Sequence, residues 1–402
     1  MIKDRLNQRP FSVGRRIVLF LIICNIMFAI LNPGKYFELA DYYYFIIAVS
    51  IIGLLNLFFK RNLFPKNNIE RYLFFCFLWL IVPFFVAYFV IGQVSSAYLL
   101  SYILYFVFFY ICLKYRFSNL EIGKILNSYI LSGLIVGLLI ISQHTMYYDT
   151  GGRYSVQVFD NPIFDPNYLA AFLVFPALLS FVIVLYSTSW KILLYIFVLF
   201  VIVGGLLMTG SRNGMISFLL GAFFIFMQRF SLKLKVSRII SLLLFISITI
   251  TLVLNYVPEE TYLRLFVDSY NDGSNHTRLM DWDAGWRSFL IHPILGYGFV
   301  SEMDAIKFAL GKSLLAHNTY IGLLIQFGVI GFSFFIIGIS KLIKKLIVCH
   351  DLVLFGFIIA TLQLSLVVSA QVAFFFWIPI IIIVCVVNNV NYDKDFIVKN
   401  LL

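Results

Sequence analysis

Long apolar stretches separated by short polar ones recur along the whole chain. Twelve of them approach the length of about 20 residues that crosses a bilayer's hydrocarbon as a helix. They fall at about 17–31, 42–59, 72–91, 97–113, 125–142, 167–186, 191–208, 214–228, 239–256, 315–340, 352–369 and 372–388. The third and fourth share one uncharged stretch, and the last two are split only at Ser369-Ala370-Gln371. The pattern predicts an all-α integral membrane protein of about twelve spans, a single polytopic domain over 1–402. The basic N-terminal stretch is followed by an apolar core with no small-x-small cleavage site before Asn32-Pro33, so an uncleaved first span is expected.

Two polar segments stand apart from the short basic loops. The smaller spans about 143–166, and the larger, about 257–314, separates the ninth and tenth expected spans. Within the larger, 275–291 reads NHTRLMDWDAGWRSFLI, with Leu279, Trp282, Trp286 and Phe289 at helical spacing. That predicts a short amphipathic helix, capped by Ser274 or Asn275 and stopped by Pro293, against the membrane surface or the mouth of the bundle. The glycine-bearing turn ILGYGF follows, and a second short helix over about 301–314 leads into His317.

Charge orients this arrangement. With a cytoplasmic N-terminus, the inner segments hold 22 of the 30 Lys/Arg but only six of the 19 acids. The opposite threading would invert the usual excess of positive charge on the inner side. The chain is 62% hydrophobic and 12% charged, and its net charge of +11 comes mostly from this bias. No nucleic-acid motif accompanies it. The absence of GxxxxGK[ST] argues against ATP-driven transport by this chain alone, and no repeat of the two halves supports a paired-repeat transporter. Cys24, Cys76, Cys112, Cys349 and Cys385 lie in or at the inner ends of spans, and no disulfide or metal motif is implied.

Several polar residues lie on the expected outer side. Arg212, in TGSRNG, is either a snorkelling anchor or a fork for phosphate oxygens, with Gly210 and Gly214 allowing close approach. Arg278 either pairs with Asp281 or forms a second phosphate clamp. Arg153, in DTGGRYS, is solvated or binds an anion. His317, beside Asn318 at the start of a span, suits a general base, since an unperturbed imidazole titrates at about 6.5. Asp281 and Asp283 imitate a DxD metal motif but point to different faces of a helix, so no metal site is expected. Asp283 and Arg287 read as an exposed pair, and Asp165-Pro166-Asn167 as a helix cap with Pro at the first position.

The ensemble resembles the O-antigen polymerase and O-antigen ligase superfamily of bacterial envelope glycosyltransferases. The resemblance rests on DPNYLAAF at 165–172, TGSRNG at 209–214, the helix from Arg278 followed by HPILGYGF, and HNTYIGLLIQFGVIG at 317–331. It implies a multi-pass inner-membrane enzyme with cytoplasmic termini and its site on the outer, periplasmic face. The donor would be a glycan on undecaprenyl diphosphate, transferred with inversion and without metal or cofactor. By position, Arg212 and Arg278 would hold the diphosphate and His317 would serve the acceptor hydroxyl, with Arg153 and Asn318 as further substrate-binding candidates. Polymerisation of lipid-linked repeat units is preferred over ligation to lipid A core. Partners would be membrane lipid, a chain-length regulator and a flippase, with no nucleic acid. A polysaccharide flippase is the rival of a different class, and a lipid-linked enzyme of peptidoglycan or teichuronic-acid assembly is a third.

Overall fold

The computed structural model describes residues 13–31, 42–60, 62–143, 145–146, 152–157, 165–187, 190, 192–230, 259, 261, 263, 273–389, 392–393 and 396–401. Helices occupy eleven of the twelve expected spans; the ninth, 239–256, lies outside the described residues. In chain order they are α1 (Val13–Leu31), α2 (Tyr42–Phe59), α3 (Asn68–Trp79), α4 (Ile81–Val90), α5 (Ser96–Tyr115), α6 (Asn119–Gln143), α7 (Pro166–Tyr186), α8 (Ile192–Met208) and α9 (Arg212–Phe230). After the undescribed stretch come α10 (Gly273–Ile291), α11 (Glu302–Leu310), α12 (Thr319–Val348), α13 (Leu352–Leu364), α14 (Phe374–Val387) and α15 (Phe396–Leu401). Thr145–Met146 and Tyr154–Ser155 form a two-residue antiparallel pair, β1 and β2. Among the described residues, five helical stretches are long and apolar enough to cross a bilayer: Asn68–Val90, α5, α6, α7 and α12. The protein is an all-α membrane protein.

α7 is the hub of the bundle. Its side chains are apolar on every side, and it packs against α6, α8, α9, α13 and α14. A helix buried all round needs no polar face. Between apolar helices in lipid, burial of grease drives nothing, and close backbone approach through small residues takes over. Gly137 of α6 and Gly205 of α8 face each other this way; a Cβ on Gly205 would sit 2.9 Å from the Gly137 Cα.

At one end of the bundle, here the basic end, charges are buried in pairs. Lys114 meets Glu70 at 2.6 Å with both side chains almost fully covered, and Lys114 also donates to the Phe64 carbonyl. Arg15 closes on Glu121 at 2.6 Å. The opposite end carries TGSRNG, DPNY and HNT, and is called the motif end below.

α12 is broken. Gly328 has φ 60 and ψ −170, a conformation essentially restricted to glycine, so the N-terminal turns of α12 are offset from the rest. A break inside a membrane helix strands backbone groups that lipid cannot satisfy. The HPILGYGF turn supplies their partners. Tyr297 N–H donates to the Ile325 carbonyl and Gly298 N–H to that of Gln326, both at 2.8 Å. Val329 N–H and Ile330 N–H donate back to the carbonyls of Pro293 and Ile294. The Gln326 side chain completes the seam, donating to the Val300 carbonyl and accepting from the Tyr102 hydroxyl. Gly298 in turn lies on the α4 backbone at Pro83 and Ala87. Two motifs thirty residues apart are thus halves of one hydrogen-bonded unit.

Two expectations about elements are corrected. The α10 helix forms where expected, but its buried stripe is Asp281, Ala284, Gly285, Ser288 and Phe289. Leu279 and Trp286 of the expected stripe are exposed at 62% and 47%. The reason is steric: Gly285 lets α10 sit directly on Ile321 and Ala316, where a Cβ would be 2.8 and 3.0 Å from their side chains. Small residues therefore form the inner face, and large ones point away. The second correction concerns α13, which ends at Leu364 rather than near 369. The carbonyls of Leu364, Ser365 and Val368 are drawn out of the helical ladder to accept from Asn213 and Thr319.

Candidate active site

The motif end is built from four chain turns. Asp165 caps α7, its Oδ1 accepting from Asn167 N–H and Tyr168 N–H, with Pro166 at the first helical position as expected. In the α8–α9 turn, Ser211 accepts from Gly214 N–H and donates to Asn167 Oδ1 at 3.3 Å. Gly214 allows close approach, but of a helix: a Cβ there would meet the Ala170 Cβ at 2.9 Å. Asn213 donates to the Leu364 carbonyl at 2.7 Å, and Thr319 N–H to that of Ser365 at 3.0 Å. Arg212 directly precedes one of these two anchored residues, and His317 lies two positions before the other. Thr319 Oγ1 donates to Val368 O and accepts from Ala370 N–H, which ties the α13–α14 turn to the start of α12.

Just before the α12 cap, His317 has φ 47, a left-handed position uncommon for any residue but glycine. Such backbone persists only where surrounding contacts over-determine it, and it clusters at functional sites. Burial lowers the imidazole pKa below its ordinary value. The Asp281 carboxylate pulls it back up, Arg278 pushes it further down, and Asp165 opposes again. The result is a neutral ring at neutral pH, the form that accepts a proton. Asp281 lies 4% exposed; burial raises its carboxyl pKa, while His317 and Arg278 lower it. Two of the three expected catalytic residues, His317 and Arg278, thus share one electrostatic neighbourhood. Arg212, the third, heads α9 in a turn bonded to the α7 cap.

The remaining candidates fall into place differently. Asn318 is the N-cap of α12, with Oδ1 accepting from Tyr320 N–H and Ile321 N–H, so its side-chain oxygen is occupied by the helix. Arg153 is half-buried just before β2, which packs on α7. Asp283 and Arg287 form the expected surface pair at 2.8 Å.

Sequence reasoning passed over Glu302. It is fully buried at the first turn of α11. Oε2 accepts from Ala316 N–H at 3.0 Å and Ser369 Oγ at 2.9 Å, and Oε1 accepts from Gln371 Nε2 at 2.6 Å. The carboxylate rests on Gly322, where a Cβ would clash with it. Burial pushes its pKa up to about 7 against the pull of these three donors. The available signal was an acid fifteen residues before the HN pair, but its partners come from three distant positions.

Along the bundle from this end runs an apolar groove of about 330 Å³ between α3, α5, α12 and α14. It begins at Leu323, Phe327 and Tyr102 near the α12 break and reaches Lys341 and Lys345 at the basic end. Gly331 opens its wall to the Trp79 ring, which a Cβ would meet at 2.5 Å.

His317, Arg278, Asp281 and Asp165 thus share one electrostatic neighbourhood at the motif end, from which the apolar groove runs. Residues 197–336 match the family model described as O-antigen ligase (Wzy_C), the segment holding TGSRNG, α10, HPILGYGF and the HN pair. That match supports membership of the O-antigen polymerase and ligase superfamily, whose activity is glycosyl transfer of one or the other kind. No curated protein matches the chain.

Proposed function

We propose that this protein polymerises undecaprenyl-diphosphate-linked oligosaccharide units into a surface polysaccharide, at the outer face of the bacterial inner membrane. The observation that carries the reading is His317, half-buried in left-handed backbone at the motif end and in electrostatic range of Arg278 and Asp281. The acceptor hydroxyl attacks the anomeric carbon of the donor while the bond to the diphosphate oxygen breaks. His317 takes the hydroxyl proton, and Arg278 and Arg212 stabilise the charge gathering on the leaving diphosphate. Attack from the face opposite the leaving group inverts the anomeric centre. The groove offers apolar walls for the polyprenyl tail. The charge bias of the loops supports placing the motif end outside and both termini in the cytoplasm. A flippase would deliver the donor, and a chain-length regulator would act on the product.

A second reading, ligation to lipid A core, is favoured by the description of the matching family model. Purified protein in vesicles with lipid-diphosphate-linked repeat units separates these. Products lengthened by whole repeat units support the polymerase. Joining that appears only when lipid A core is added supports the ligase. Units moved across the vesicle but never joined would overturn both in favour of a transporter.

A further inference from the structure

Glu302 is a buried carboxylate that the chemistry above does not use. It cannot touch substrate, because Ala316, Gly322, Ser369 and Gln371 enclose it and it has no exposed surface. No cation pairs with it among the described residues. A buried acid without a counter-ion costs stability unless hydrogen bonds satisfy it. Here three donors do so: one is the N–H of Ala316, the residue just before His317, and the other two, Ser369 and Gln371, tie that point to the α13–α14 turn. The chain leaves α11 at Gly311, crosses 312–315 without helix, and must then place His317 in left-handed backbone. The Ala316 N–H is the last point fixed before it does so.

We propose that Glu302 is a positioning residue that fixes His317 through the Ala316 N–H; the value of that position rests on the His317 role proposed above. The site tolerates either charge state of the acid. When ionised, Oε1 accepts from Gln371 Nε2. When protonated, it can donate to Gln371 Oε1, a buried oxygen that has no hydrogen-bond partner as the structure stands. Rotating the Gln371 amide is enough, and Oε2 keeps Ala316 and Ser369 in both states. The raised carboxyl pKa, about 7, is what such an enclosure produces. Tyr168 is the other titratable group felt there, while Asp281, Arg278 and Asp165 face the imidazole. A glutamine at 302 reproduces the protonated form.

The test is the rate at which diethyl pyrocarbonate acylates His317 in the purified full-length protein, read by mass spectrometry, with exposed His350 at the basic end as internal reference. Glu302→Gln should leave the His317 rate within twofold of wild type. Glu302→Ala should raise it at least threefold, because a loosened loop frees the ring. Glu302→Asp retains the charge but withdraws the acceptor by one methylene, and should raise the rate more than twofold; it carries the test if the alanine variant does not accumulate. His350 should not change in any variant. Rescue by glutamine but not by aspartate separates geometry from charge. Wild-type labelling in the aspartate variant, or loss of protection in the glutamine variant, would overturn the proposal. Glycan joining by the same preparations isolates the other reading. If labelling shifts as expected while joining is untouched, Glu302 positions a histidine that does no chemistry.

Discussion

Gly328→Ala is the sharpest probe of the unit formed by the α12 break and the HPILGYGF turn. The backbone at 328 lies in a region that costs an L-residue about 1–3 kcal/mol, and an added Cβ would collide with the Ile294 carbonyl and Leu295 N–H. Overpacking of that kind costs about 1–3 kcal/mol more. The turn can yield only by loosening its four backbone bonds to 325–330. The substitution should therefore destabilise by about 2–6 kcal/mol. Gly311→Ala is the matched control. Its φ of 69 is also left-handed, but nothing lies within 4 Å of a Cβ there, so only backbone strain of about 1 kcal/mol is expected. The assay is reversible unfolding of purified protein in mixed micelles, together with glycan joining at a temperature where both variants stay folded. Gly328→Ala should lose joining and Gly311→Ala retain it. Equal losses of stability would show that the glycine serves only backbone strain and that the turn is not locked to the break.

Three further outcomes follow from the same structure. Gln326→Leu removes the acceptor of the Tyr102 hydroxyl and the donor to the Val300 carbonyl in a buried seam; unfolding should show a loss of at least about 1–3 kcal/mol. Lys114→Met takes the ion-pair partner from the buried Glu70 carboxylate, which keeps its bonds from Lys66 N–H and Asn67, and should cost up to about 3–5 kcal/mol in the same assay, with Glu70→Gln in the same chain restoring much of it. A lowered His317 pKa predicts that joining declines on acidification through a midpoint below the ordinary histidine value of 6.5; a rate rising with acid instead would remove the histidine from the role of base.

Much of the fold was legible because span positions follow from apolar length, which bilayer thickness dictates without reference to neighbours. The Asp165 cap and the Asp283–Arg287 pair were legible for a similar reason: their partners are two to four residues away. What escaped depends on distant partners. Gly328 could be marked as part of a motif, but nothing local says that 293–298 fills the gap it opens. The inner face of α10 was assigned to its large apolar residues, as a soluble helix would have it, whereas close packing on Ile321 selected the small ones. Glu302 reads as an ordinary acid in a first helical turn until Ala316, Ser369 and Gln371 arrive from elsewhere. The recognition motifs themselves were legible, and the family model matched by residues 197–336 supports the superfamily they suggested.

The central claim is that His317 and Arg278 divide one glycosyl transfer between them. The direct measurement is single-turnover joining of a lipid-diphosphate-linked oligosaccharide by purified protein, without nucleotide and with chelator present, beside equilibrium binding of the same donor. The account predicts that His317→Ala loses joining by at least a hundredfold while donor binding stays within threefold. It predicts that Arg278→Ala loses both and that Arg278→Lys recovers little, since a point charge cannot replace a planar fork. Joining by His317→Ala at the wild-type rate, or joining that vanishes with chelator and returns with a divalent cation, would contradict it.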